Sequence, residues 1–287
     1  KDSLHPSDQW ILSKCNTLIK DVTENMDKFE LGIALSKLYD FIWDEFCDWY
    51  IELAKYRIYH AEEDPKGAND ALWTLREVLK DSLKLLHPYM PFVTEEIYGK
   101  LIPEEESLMM SAWPEYDEAL NFPEAERIVD HYKEIVRGIR NVRAEMNVPN
   151  SRKATAYVVC EDQTLCDGLA FMTNSAKQMA SVLDLVIQKD KAGIADDAVS
   201  VVVPDATVYV PLEELIDFDQ EIERLTKEET RLNKEIARAQ GMLNNEKFVS
   251  KAPEAKVQEE REKLETYKQM KAQVSERLEG LKAKQSK

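Results

Sequence analysis

Apolar and polar positions recur with helical spacing along most of this chain. The strongest stretch is 31–60, LGIALSKLYDFIWDEFCDWYIELAKYRIYH, with apolar residues at Leu31, Leu35, Leu38, Ile42, Phe46, Trp49 and Leu53. Steps of three and four define one face of an α-helix. Tyr39, Trp43 and Tyr50 widen that face. The spacing therefore predicts a helix covered from more than one side, at the centre of a bundle. Asp40, Asp44, Asp48 and Glu52 fill the narrow remaining face at steps of four. Like charges so spaced cost about 0.2–0.5 kcal/mol per pair. That face reads as solvated or as a cation site.

Further helices flank this one. Trp10, Ile11, Cys15, Leu18, Ile19, Val22 and Met26 form a stripe behind Pro6, with Ser7 or Asp8 as N-cap. Residues 64–67, DPKG, read as a turn. A helix with Ala71, Leu72, Leu75, Val78, Leu79, Leu83 and Leu86 follows and stops before Pro88, with His87 as a cap. A short helix is predicted over 91–101 and an irregular connector over 103–123. The helix predicted over 123–146 buries Ile128, Tyr132, Ile135, Ile139, Val142 and Met146. Beside them run Lys133, Arg137, Arg140 and Arg143, followed by Arg152 and Lys153. This basic edge suits phosphate contact or salt bridges to the bundle's own acids.

The pattern then changes. Residues 154–160, 182–188, 199–203 and 207–210 are short and rich in β-branched side chains, with a helix predicted over 162–180. This is a small α/β module of three or four strands. From 212 the spacing becomes heptad: Leu215, Phe218, Ile222, Leu225, Leu232, Ile236, Ala239 and Leu243, with Glu229 intruding. After a break over 244–253 it resumes at Val257, Leu264, Tyr267, Val274, Leu278 and Leu281, interrupted by Glu260 and Lys271. Two heptad helices joined by a loop predict an antiparallel coiled-coil hairpin, each arm roughly 40 Å long. The fold class is thus mainly α. We expect a helical bundle over 1–150, a small α/β module over 151–211 and a coiled-coil arm over 212–287.

Charge sharpens this division. The 287 residues carry a net charge of −17, which disfavours nucleic-acid binding by the whole surface. Residues 221–287 hold 16 Lys+Arg against 13 Asp+Glu, leaving 22 and 42 for residues 1–220. The arm is therefore the electropositive part. No apolar run reaches 18 residues, so no membrane span is expected. The chain does not begin with Met and has no signal peptide; we expect a piece of a longer protein. Cys15, Cys47, Cys160 and Cys166 form no CxxC pair, which predicts reduced thiols and no zinc site. His5, His60, His87 and His131 are scattered, and no nucleophile–base order, metal cluster or phosphate loop appears. A bundle with a basic edge and a projecting basic arm fits a large shaped polyanion better than an enzyme site.

Several strings carry a family resemblance. SDQWILSKCN (7–16), LYDFIWDEFCDWYIELAK (38–55), LLHPYMPFVTEEIY (85–98) and SAWPEYDE (111–118) recur, more loosely, in isoleucyl and leucyl relatives. GIRNVRAEMNVPNSRK (138–153), VPLEELIDFDQEIERL (210–225) and KFVSKAPEAKVQEEREKLETY (247–267) continue the likeness. Together they resemble the C-terminal half of bacterial valyl-tRNA synthetases, class I aminoacyl-tRNA synthetases. The cysteine-rich module that commonly ends isoleucyl enzymes has no counterpart here.

The resemblance implies an anticodon-binding bundle and an arm that packs on the outer corner of tRNA. It implies cytoplasmic valine–tRNA ligation using ATP and Mg²⁺, with valine tRNA and the same chain's catalytic and editing domains as partners. The class motifs His-Ile-Gly-His and Lys-Met-Ser-Lys-Ser are absent here, so this chain is expected to bind tRNA as a monomer, without a cofactor and without activating valine. By resemblance, Trp10 stacks on an anticodon base with Leu79 opposite; core packing is the alternative for Trp10. Gln9 stands where relatives often carry Arg. Arg137, Arg140 and Arg143 are candidates for the anticodon-stem backbone or for internal salt bridges. On the arm, Arg224, Lys227, Arg231, Lys234, Arg238, Lys247 and Lys251 are candidates for RNA contact or a solvated face. Three other readings remain: a coiled-coil scaffold for a protein partner, the matching part of an isoleucyl or leucyl enzyme, and an enzyme site in the α/β module.

Overall fold

The structure, a computed structural model, describes residues 4–215, 218–245, 250 and 253–285. It comprises two compact units, Lys1–Leu212 and Glu213–Lys287.

In the first unit, α1 (Pro6–Asp27) packs against α2 (Leu31–Asp40), α4 (Pro65–Leu86) and α6 (Pro123–Glu145). It buries Trp10, Ile11, Leu12, Cys15, Leu18, Ile19 and Val22. The bundle is therefore centred on α1 and not on residues 31–60 as their spacing suggests. Leu31, Leu35, Tyr39 and Trp43, which the stripe places inside, are exposed. The reason lies in the backbone: Phe41–Tyr50 is a π-helical segment between α2 and α3 (Ile51–Tyr59). At its end the Ile51 N–H bonds to the Phe46 carbonyl, five residues back. This wider turn carries the buried side from Phe41 to Phe46 and on to Trp49 and Tyr50. A stripe counted at 3.6 residues per turn loses register there. Asp40, Asp44 and Asp48 are exposed, as a solvated face requires.

Proline at the first helical positions starts α1, α4, α5 (Pro91–Leu101) and α6. It also moves two predicted boundaries. His5, not Ser7 or Asp8, caps α1: its Nδ1 accepts from the Ser7 N–H at 3.2 Å. Asp64 caps α4 by accepting from the Gly67 N–H at 2.9 Å, so the predicted turn is the helix's first turn. His87 caps α4 as expected, and its Nδ1 lies 2.8 Å from Thr94 Oγ1. Residues 102–122 hold only two short 3-10 turns, at Leu108–Met110 and Glu118–Leu120. Buried polar groups of α1 pin this connector. Asn16 exchanges two 2.9 Å bonds with the Asp117 backbone, and Ser13 Oγ accepts from the Phe122 N–H at 3.0 Å.

The α/β module forms a four-stranded sheet ordered β2-β1-β4-β3. β1 (Ala156–Cys160) and β2 (Leu185–Gln188) are parallel, joined by α7 (Gln163–Ala170) and α8 (Thr173–Met179). β3 (Val199–Val203) and β4 (Ala206–Val210) form an antiparallel hairpin, and β4 pairs antiparallel with β1. The sheet's hairpin and α7 pack on α6, so α6 is a wall shared with the bundle. A Cβ added at Gly168 would stand 2.4 Å from Ile128 Cδ1, and one at Gly138 2.8 Å from Val201 Cγ1. Those glycines set how closely α7 and β3 approach α6. Cys15 and Cys47 are free thiols, as expected; Cys160 and Cys166 depart from the reduced expectation, with sulfurs 2.12 Å apart as a disulfide pair. α7 turns back directly after β1 and brings the two together.

After α9 (Leu212–Leu215), the second unit pairs α10 (Phe218–Leu243) with α11 (Glu254–Gln285) along their lengths. Leu225, Leu232, Ala239, Val257, Leu278 and Leu281 are buried, on the heptad positions expected. The polar intrusion at Glu229 is satisfied across the pair, its Oε1 accepting from Ser275 Oγ at 2.5 Å.

One buried ion pair ties the bundle together. Asp8 is fully buried. Arg57 grips it with both terminal nitrogens, at 2.5 and 2.8 Å, and Tyr50 donates to it at 2.7 Å. Burial followed by the Asp8 charge pushes the Tyr50 phenol up. Asp8→Ala leaves the guanidinium buried without its counter-charge. We expect a loss of about 3–5 kcal/mol in unfolding free energy, read by chemical denaturation; an unchanged midpoint would show that the pair is dispensable. His5 adds a pH dependence. Burial and then the Arg57 charge lower its pKa to about 4, while its Nε2 donates to the Phe171 carbonyl at 3.1 Å. Between pH 6.5 and 4 the unfolded chain binds this proton first, so stability should fall as pH falls through that window. His5→Asn should flatten that part of the stability curve; an unaltered curve would assign it to other groups.

Candidate nucleic-acid interface

RNA recognition needs two kinds of group: cations or donors free to meet phosphate, and aromatic faces free to stack on bases. The α6 edge supplies fewer free cations than its sequence suggests. Lys133 is buried, paired with Glu45 and placed 4.3 Å from the centre of the Trp10 ring. Burial lowers its pKa, opposed by the bond to Glu45. Arg137 is exposed, bound to Glu134 at 2.7 Å and lying 5.6 Å from the Trp49 ring centre. Arg140 donates Nε to the Met179 carbonyl at 2.7 Å. Arg143 is buried and donates Nη2 to the carbonyls of Pro149 (3.0 Å) and Arg152 (2.8 Å). The edge thus serves the fold first, Lys133 and Arg137 through salt bridges to acids and Arg140 and Arg143 through backbone carbonyls.

Trp10 lies on the buried side of α1 with 0% exposure, and its Nε1 has no hydrogen-bond partner. No base can reach the ring in this conformation, which matches the core-packing alternative. Leu79 packs against Leu83, Tyr98, Ile102 and Leu108, a cluster that does not include Trp10. Free aromatic faces lie elsewhere. Phe29 (87% exposed) sits at a positive φ of 59° before α2, and Phe92 (90% exposed) opens α5. Tyr39 and Trp43 are both exposed and stack with rings 6.4 Å apart and 6° from parallel. Tyr89 Oη donates to the Leu31 carbonyl at 2.9 Å, joining the start of α2 to the turn before α5. The sequence reading misses these residues because it assigns Tyr39 and Trp43 to the core. The available signal is that they share one helical face with Leu31 and Leu35, which a π-turn turns outward.

On α10 the basic residues are exposed, and Lys227, Arg231 and Arg238 are satisfied locally. Arg231 holds Glu228 through two nitrogens at 2.6 and 2.9 Å, and Arg238 holds Glu235 at 3.0 Å. Lys227 pairs with Glu223 at 2.5 Å. Lys234 is exposed. Lys247 and Lys251 lie outside the described residues. Exposed pairs of this kind contribute about 0–1 kcal/mol, so a phosphate can replace the carboxylate at little cost. Among the described residues no group of three or more His, Cys, Asp or Glu converges as a metal site would, and no helix is long and apolar enough to cross a membrane.

Family models match part of each unit. Residues 8–158 match the family model described as the anticodon-binding domain of tRNA ligase, and residues 217–282 match the valyl-tRNA synthetase tRNA-binding arm. The chain is 49% identical to a valine–tRNA ligase of Clostridium perfringens over 96% of its own length. It is 45% identical to that of Clostridium acetobutylicum and 43% identical to that of Listeria innocua over the same share. In each case the chain spans 31% of the relative's length. The arm model is the valyl one, which separates this chain from the isoleucyl and leucyl alternatives. With more than half of its residues in the first match, the chain belongs to the anticodon-binding family of the tRNA ligases and carries the tRNA-binding arm of the valyl-tRNA synthetases.

Proposed function

We propose that this chain is the RNA-holding part of a valine–tRNA ligase. The bundle engages the anticodon region of valine tRNA, and the α10–α11 arm, read as a coiled coil, engages the outer corner of the L-shaped molecule. One observation carries this reading: two tRNA-binding modules stand in one chain, both matched across relatives named valine–tRNA ligase. Joining valine to tRNA with ATP and Mg²⁺ belongs to catalytic and editing domains elsewhere in the longer enzyme, which acts in the cytoplasm as a monomer. Within the bundle, Phe29, Tyr39, Trp43 and Phe92 supply the stacking faces that a buried Trp10 does not. Arg231, Lys234 and Arg238 supply exchangeable cations on the arm, with Lys251 as a further candidate.

Filter binding to valine tRNA at two salt concentrations, beside the same tRNA with its anticodon changed, tests this reading. Binding should weaken steeply with salt, with a slope near −0.9 per phosphate neutralised, and the changed anticodon should bind less well. Equal binding of both tRNAs would remove the anticodon claim and leave the arm as a shape and charge contact. A pair of variants separates stacking from packing. Trp43→Ala should weaken tRNA binding by about 1–3 kcal/mol with the fold intact. Trp10→Ala should instead lower unfolding free energy by about 3–5 kcal/mol. The reverse pattern would return Trp10 to the interface.

A further inference from the structure

The end of α6 meets the turn between α8 and β2 around a pocket of about 650 Å³. Its polar lining is Arg140, Arg143, Asn147, Asn150, Gln178 and Ser181, and no carboxylate lines it. In a chain of net charge −17, this is a place where an anion meets little local repulsion. Both arginines have donors to spare. Arg143 is buried, and its Nη1 has no hydrogen-bond partner. Arg140 spends Nε on the Met179 carbonyl, which leaves its terminal nitrogens for a ligand. A buried unpaired donor is costly and uncommon in a native fold. Two guanidinium forks with neutral amide and hydroxyl donors around them fit a tetrahedral oxyanion. Nothing in that lining is arranged to read a base edge.

We propose that this pocket binds a single phosphate group and, resting on the tRNA reading above, that the group is a backbone phosphate of the bound RNA. It would fix the position of the RNA on the bundle without contributing sequence preference. Arg143 is the anchor, already held by the carbonyls of Pro149 and Arg152, and Arg140 is the outer clamp.

The test uses the 287-residue chain and its Arg140→Gln and Arg140→Lys variants, with melting curves as a folding control. Each is titrated with valine tRNA over a range of salt, and the wild type is titrated with inorganic phosphate while the Asn147 and Ser181 amide resonances are followed. We expect Arg140→Gln to bind both the native and the anticodon-changed tRNA about tenfold more weakly, with a salt slope smaller by about one. Arg140→Lys should recover most of the loss, and phosphate should shift both resonances. If the wild type binds tRNA and Arg140→Gln keeps the same slope, the pocket proposal falls while the tRNA reading stands. If phosphate shifts the resonances but tRNA does not bind, the pocket stands as a free-phosphate site and the tRNA reading falls. If neither ligand acts there, the pocket is only a structural junction.

Discussion

The Asp8 carboxylate orders the first unit from inside. It lies in the first turn of α1, and its two oxygens take donors from Tyr50 in the π-segment and from Arg57 in α3. Arg57 reaches on to the Gly67 carbonyl at the start of α4. One buried charge thus sets the relative placement of four segments, α1, the π-segment, α3 and α4. Such a pair adds little net stability over a well-packed apolar cluster, because both ions lose their water. Its contribution is orientation: any arrangement that separates the partners strands a charge in the core. The apolar stripe of α1 can pack in several rotations, and the ion pair selects one.

Much of the architecture is legible in the sequence. Helix types, the α/β module and the hairpin follow from spacing and from β-branched runs. The heptad positions Leu225, Leu232, Ala239, Val257, Leu278 and Leu281 are buried as their spacing implies. What spacing cannot show is where the helical period itself changes. The residues 31–60 satisfy an α-helical count almost throughout, so the exposed Leu31, Leu35, Tyr39 and Trp43 read as core. The connector over 102–122 reads correctly as irregular, but its shape is hidden, since it comes from Asn16 and Ser13 about a hundred residues away. The interface is less legible than the fold. Motif strings identify the modules, but a basic residue on a helix edge looks the same whether it meets RNA, Glu45 or the Pro149 carbonyl. Only the packing decides: it turns Lys133 inward to Glu45 and holds Arg143 by two carbonyls at the wall of the pocket beside α6.

Charge and binding are reconciled by locality. A net charge of −17 would repel RNA as a whole, and most acids sit in the first 220 residues. Under the proposed tRNA reading, contact belongs on surfaces where carboxylates are absent or already neutralised. The arm neutralises its own acids through pairs three residues apart, at Glu228–Arg231 and Glu235–Arg238. An acidic background also discourages unrelated nucleic acids from adhering elsewhere.

The π-segment has a consequence for helical phase. An α-helix advances about 100° per residue, and the wider turns of Phe41–Tyr50 advance less, so their winding fixes the rotational phase of everything after them. Were the same ten residues to wind as α-helix, each would take a larger angular step and α3 would be swung about its axis. Arg57 would then point away from Asp8, although every residue of the pair remained. The winding of this segment, more than any one of its exposed side chains, keeps the two charges facing each other.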